Sequence, residues 1–409
     1  SMVSNDKNQD FNMSDVPSHV PPELVQYCDF RTGLEPYPHE QLGKLHEGPR
    51  IIYSPVSHQD RGTENRGTWV VTKAEDIRYV LQHPELFSSA QPRAQAMGES
   101  WRLIPLEVDP PEHLDYRRLL NPLFSPKAVK LQEDAIRAWA IELTEDLVGK
   151  RECDFVSEFC EIYPVSIFLN LLGLPKSDLP KFRAWTNTIV HDRAGRGPAM
   201  QEVKEFLNGV IAERQKDPGD DLVSTITTFE IDGRPLSQEE MMGIVVMLFI
   251  GGLDTVVGSL GFQFRYLAEN VDQQNMLRDN HELLGDAVEE MFRAFSIVTT
   301  GRVATQDTEY AGVRIKKGDM VTTSTMLSTR DPDEFENPHE LDLGRSPNRH
   351  NAFSFGPHRC LGSHLARLEV NIALEEWLKR IPEFTVKPDA NINALGGGVL
   401  GLDSLPLQW

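Results

Sequence analysis

One long apolar helix candidate limits what this chain can fold into more than any other feature. It opens at Ser237-Gln238-Glu239-Glu240, a capping box whose serine and glutamate side chains serve each other's backbone N–H groups. The pattern continues through Met247, Phe249 and Ile250 to about Ala268, roughly 30 residues or ~45 Å at the α-helical rise. Residues 243–253 are almost entirely apolar, so this helix must be enclosed on every side. The run is too short for a membrane span, which needs ~20 such residues. A chain of 409 residues can supply the enclosing core, and its length alone allows two or three domains. Residues 129–148, 178–190 and 200–214 read as amphipathic helices, and another starts near Asp109-Pro110-Pro111 and passes Arg118. A strand candidate at 68–72 precedes a helical pattern through Leu81. Residues 304–323 form a small β-rich part, with turn signals at Gly312 and Lys317-Gly318-Asp319. No repeat or linker marks a boundary. The expectation is a mainly α protein with a small β part. Residues 21–409 form a single domain, and residues 1–20, polar and proline-containing, are loosely ordered.

Inside the long helix lies Gly251-Gly252-Leu253-Asp254-Thr255. Two mid-helix glycines cost about 2 kcal/mol relative to alanines, and a buried Asp is expensive unless paired. One reading is a helix kink with the Thr255 hydroxyl bonded back one turn. The other is a functional acid–alcohol pair. A second unusual segment is Phe353-Ser354-Phe355-Gly356-Pro357-His358-Arg359-Cys360-Leu361-Gly362. Leu361, Leu365, Leu368, Ile372 and Trp377 follow at helical spacing, which sets Cys360 just before or at a helix N-terminus. Unpaired N–H groups and the dipole there favour a thiolate, and Gly356 and Gly362 allow close approach to a flat ligand.

The four cysteines, Cys28, Cys153, Cys160 and Cys360, form no disulfide framework, so a reducing cytoplasm is the default. The first three read as inert thiols. His358, Cys360 and His364 lack the paired spacing of a structural zinc site. Residues 396–401 match a dinucleotide fingerprint only formally, because no βαβ unit can follow them. A net charge of −21 argues against nucleic acid and anionic membranes as partners, though not against a local basic patch. Ser1 ahead of Met2 reads as a remnant of recombinant expression, and no secretory signal or membrane anchor is visible.

The cysteine segment resembles the haem-binding loop of the cytochrome P450 family. Phe353, Gly356, His358, Cys360 and Gly362 stand at its pattern positions, with Ser354 where glycine is commonest. The resemblance implies haem b with Cys360 as axial thiolate, donating electron density that favours O–O cleavage. It implies that Asp254 and Thr255 organise protons and water beside the oxygen site, where Gly251 and Gly252 let the helix open. Phe353 and Gly362 would cradle the cofactor, and His113, Arg117, Arg302 and His358 would anchor its propionates. Glu290 and Arg293 match the family's Glu-x-x-Arg helix motif, and Arg345 joins them; all three are read as structural. By spacing alone such a pair is a weak signal, since most are solvated bridges.

From about residue 69 to 409 the chain is similar to the soluble, camphor-hydroxylase-type bacterial branch. Such members take electrons from NADH through a reductase and a [2Fe–2S] ferredoxin, and hydroxylate small apolar, terpenoid-like molecules. Trp101 stands where the camphor enzyme has a substrate-binding tyrosine, and Gly398 where it has a bulky aliphatic. Met247, Ile250, Val298 and Val399 keep the lining apolar, so a small apolar or alicyclic substrate other than camphor is expected. The resemblance also implies a cation for Asp254 from the helix around residues 181–193, Arg183 ahead of His191. Arg117, Arg118 and Arg359 are expected to form a ferredoxin-docking patch. NADH would act only through the reductase, and the protein would be a cytoplasmic monomer. The rival classes are a peroxide-driven haem-thiolate peroxygenase and a non-catalytic haem carrier; neither needs an O₂-activating acid–alcohol pair.

Overall fold

A computed structural model describes residues 1–4, 12–57, 67–90 and 101–409. Its main helices are α1 (Ala74–Gln82), α2 (Glu112–Leu120), α3 (Glu133–Val148), α4 (Tyr163–Leu171), α5 (Leu179–His191), α6 (Arg193–Lys216), α7 (Gln238–Glu269), α8 (Leu284–Ala294) and α9 (Ser363–Arg380). Helix makes up 51% of the chain and strand 13%, the mainly α class expected.

Helix α7 starts at the capping box. The Ser237 hydroxyl accepts the Glu240 N–H at 3.1 Å, and the Glu240 carboxylate accepts the Ser237 N–H at 2.9 Å. Its apolar residues are buried from Met241 to Val246 and again at Phe249, Leu253, Val256 and Leu260. Helices α4, α6 and α9 pack around it. It is the one described helix long and apolar enough to cross a membrane, but 61% of its most apolar stretch is buried inside the protein, as befits a core helix. At Gly243 the segment ahead of α2 crosses it closely: a Cβ there would lie 2.1 Å from the Arg102 carbonyl oxygen. The Ile104 N–H donates to the Gly243 carbonyl at the same crossing.

The β part is a five-stranded sheet of β1 (Ile51–Ser54), β2 (Thr68–Val71), β3 (Phe87–Ser88), β4 (Thr299–Ala304) and β5 (Met320–Ser324), ordered β1-β2-β5-β4-β3. Only the β2–β5 pair is parallel. The β4–β5 register sets Arg302 opposite Val321.

Two expectations change. Residues 1–20 are not loose where they are described. Met2 is fully buried, Val3–Ser4 pair with Tyr27–Cys28, and His19 bonds Asp319 at 2.7 Å. The rest of that expectation, residues 5–11, lies outside the described residues. The helix expected at 200–214 begins earlier, at Arg193, because Asp192 is extended and its carboxylate caps the helix by accepting the Gly195 N–H.

Candidate active site

The cysteine loop is tied to itself before it meets α9. The Cys360 N–H donates to the Phe353 carbonyl at 2.8 Å and the Arg359 N–H to the Gly356 carbonyl at 3.1 Å. Gly356 has φ +74°, and a Cβ there would come within 2.4 Å of the Leu81 carbonyl, so no other residue fits. Ser354 also sits left-handed, at φ +71°, a conformation that costs an L-residue roughly 1–2 kcal/mol.

Among the four cysteines only Cys360 is exposed. Enough protein still surrounds it that burial raises its thiol pKa, opposed by the Gly362 N–H and by the charges of Arg117, Arg367 and Arg359. Cβ atoms on Gly362 and on Gly252 would meet nothing within 4 Å. Beside the loop, the His113 and His358 rings lie 4.1 Å apart. Both His113 nitrogens and Nε2 of His358 are buried without a partner. Among the described residues the buried Arg302 guanidinium donates to the neighbouring Gly301 carbonyl, at 3.0 Å. Burial lowers all three pKa values, His113 to about 4, His358 to about 2 and Arg302 to about 10. Buried donors left in this state call for an anionic acceptor. Haem propionates fit that need, and the open space at Gly252 and Gly362 fits a flat macrocycle.

Arg117, also expected as a propionate anchor, lies against the cysteine loop. Its guanidinium donates to the Arg359 carbonyl at 2.7 Å, the Pro357 carbonyl at 3.5 Å and Asn121 Oδ1 at 2.9 Å. It braces the cysteine loop from α2. Arg118 and Arg359 are exposed beside this contact.

On α7 the Thr255 hydroxyl donates to the Gly251 carbonyl at 2.7 Å, and the helix runs unbroken through both glycines. Burial pushes the Asp254 carboxyl above its ordinary value, opposed by its partner Arg196 at 3.2 Å. That partner is a correction. Arg183 donates instead to the Ser157 carbonyl at 3.1 Å, and His191 bonds Glu161 at 2.5 Å. Arg183 and His191 of α5 therefore face the segment around residues 157–161. The first turn of α6, started early by Asp192, brings Arg196 to α7.

Of the expected lining residues, Val298 bridges Val399, and the Gly398 carbonyl accepts the Thr299 N–H at 2.9 Å. Met247 and Ile250 are half-buried on α7. Trp101 lies beneath the Lys204 ammonium, 5.0 Å from its ring centre, and its buried Nε1 has no partner. Behind the loop, Glu290 and Arg293 are fully buried and pair at 2.5 Å. Arg345 adds contacts at 3.0 and 3.2 Å, and Asn348 another. Arg293 also donates to the Thr329, Pro338 and Glu340 carbonyls. Sequence reasoning missed a neighbouring cluster, His350–Glu289–Arg367. The adjacent acids Glu289-Glu290 were the available signal, since neighbours on a helix point about 100° apart and each needs its own partner.

Residues 178–394 match the family model described as Cytochrome P450. The chain belongs to that family. It is 42% identical over 404 residues to the Probable cytochrome P450 127A1 of Sinorhizobium fredii, covering 96% of this chain and 97% of the relative. It is 32% identical over 346 residues to the Steroid C26-monooxygenase of Mycobacterium tuberculosis, covering 80% and 91%. The crystal structure of cytochrome P450 CYP101C1 superposes with a TM-score of 0.87 at 33% identity, covering 96% and 99%. That of CYP101J2 does so at 0.85 and 34%, covering 96% and 98%. This P450 is a monooxygenase of a family whose haem iron is held by a cysteine.

Proposed function

We propose that this P450 hydroxylates a small apolar, terpenoid-like or alicyclic substrate, and that the Cys360 thiolate would hold the haem iron. Electrons come from NADH through a reductase and a [2Fe–2S] ferredoxin. The observation that carries the reading is the exposed Cys360 beside the buried, partnerless ring nitrogens of His113 and His358 and the buried guanidinium of Arg302. Haem bound there supplies the oxygen chemistry: O₂, two electrons and two protons convert a C–H bond to C–OH and release water.

The chain's own residues divide the remaining tasks. His113, His358 and Arg302 anchor the propionates. The Cys360 N–H and Arg117 hold the loop in ligating position. The Asp254 carboxyl, its pKa raised by burial, keeps a proton to higher pH than an ordinary aspartate. Its partner Arg196 is about half exposed, 48% against 12% for Asp254, and joins the acid to solvent. Thr255, fixed by the Gly251 carbonyl, presents its lone pairs to a donor in the pocket. Val298, Val399, Met247 and Ile250 line an apolar space and exclude water, while Gly398 leaves room. The names of the relatives Steroid C26-monooxygenase and Vitamin D3 dihydroxylase, the latter of Streptomyces griseolus, support alicyclic skeletons as the first compounds to try.

The Asp254–Thr255 pair favours O₂ over peroxide as oxidant. Turnover with ferredoxin, reductase and NADH should exceed turnover with peroxide alone; the reverse order would establish the peroxygenase. Cys360→Ala should abolish the long-wavelength band of the reduced carbonyl adduct, and retention of that band would mean another residue ligates iron. A spectral screen for compounds that shift the haem absorption on binding identifies the substrate.

A further inference from the structure

We propose that His350, Glu289 and Arg367 form a charge-positioning network that raises the electron affinity of the Cys360-ligated iron. The inference rests on the ligation proposed above. Arg367 lies on α9 in the second turn after the cysteine loop. Its Nε is 3.1 and 3.0 Å from the two Glu289 carboxylate oxygens, and a terminal nitrogen is 2.9 Å from Oε1. The guanidinium carbon sits 4.6 Å from the centre of the Phe353 ring. Phe353 is the residue whose carbonyl holds the Cys360 N–H. A planar cation clamped between a carboxylate and an aromatic face has little freedom left.

Glu289 is itself held. The His350 Nδ1 accepts the Ala352 N–H at 3.3 Å, which leaves Nε2–H to donate to Glu289 at 3.0 Å. The His350 side chain is 2% exposed. Three segments therefore meet at one carboxylate: α8, the start of the cysteine loop, and α9. The adjacent Glu290 has different partners, Arg293 on its own helix and Arg345, so the link from α8 to His350 and α9 is made by Glu289. The network is a fixed dipole whose positive end faces the cysteine loop, since the Arg367 guanidinium lies over the Phe353 ring.

Reduction adds an electron to the iron–thiolate unit. A fixed cation behind it favours the reduced form, and a nearby anion opposes it. Glu289 therefore has two effects: it aims Arg367, and it cancels part of its charge. These are positioning residues, because none of them touches substrate or the reacting atoms.

The test is a spectroelectrochemical titration of the haem-loaded protein at fixed salt, with the carbonyl adduct recorded for every variant. Arg367→Met should lower the midpoint potential. Glu289→Gln should raise it, and the double variant should return toward the parent. Arg367→Lys should stay near the parent even if it melts earlier. A purely packing role predicts single-variant shifts of the same sign, or none, and either result overturns the proposal. Should Arg367→Met fail to bind haem, Glu289→Gln and Arg367→Lys still decide: a rise in the first with the second unmoved supports the network, and any other pattern rejects it. Failure of the ligation itself would show separately, as a thiolate band retained in Cys360→Ala.

Discussion

Thr255 and Asp254 are neighbours with opposite constraints. The threonine hydroxyl is anchored within its own helix, whereas the acid depends on a cation from α6. In Thr255→Ala, substrate binding and NADH use should persist while product per NADH falls and oxygen is diverted to peroxide or water. An unchanged yield would reduce Thr255 to a helix back-bond. For Asp254 the sign is set by burial, which raises its pKa, and by Arg196, which lowers it. Arg196→Leu should push the carboxyl higher still, so the pH at which coupling declines should move upward. A downward move in the profile of product per O₂ would exclude Asp254 as the proton donor. The stability linkage runs the same way: a carboxyl raised above its unfolded value favours folding most at low pH, and that contribution fades as pH rises through the folded value. Cys360, Asp254 and Thr255 could be named from sequence because each breaks a local rule, a thiol at a helix start and a polar pair in an apolar helix. Arg196 could not, because its reach depends on where α6 begins, and that is decided by the single extended residue Asp192.

Helix α7 was legible because its capping box, apolar middle and length all agree, and the structure ends it at Glu269, one residue past the expected limit. Its contacts were not legible. Gly243 looks like a mere propensity fault in sequence, yet it is where the Arg102 backbone crosses. Gly243→Val should cost about 1–3 kcal/mol through overpacking. Gly209→Ala, on the exposed side of α6 with open space around it, should gain roughly 0.5–1 kcal/mol. Urea midpoints of the two variants would check the contrast, and equal effects would show that the crossing yields freely. The anchoring of Met2 was also hidden, since Met2 and Val3 alone, ahead of a polar stretch, give no periodic signal. The His350–Glu289–Arg367 cluster draws on three separated segments, which no local pattern reports.

At the scale of the whole molecule, a chain of net charge −21 exposes Arg359 in its cysteine loop and Arg118 on α2, next in sequence to the Arg117 that bonds the loop. An acidic ferredoxin would be steered to such a face. Charge reversal at Arg118 or Arg359 should slow ferredoxin-dependent reduction, most at low salt, and leave substrate affinity intact. Equal rates at low ionic strength would place the partner elsewhere. The crossing at Gly243 bears on how such an enzyme can be redesigned. Trp101 is carried by a strand of backbone that cannot slide without dragging the central helix along. Under the function proposed above, with Trp101 in the pocket wall, new substrate preferences would be written by exchanging side chains on a fixed path. Lengthening or rerouting the path would disturb the spine of the protein.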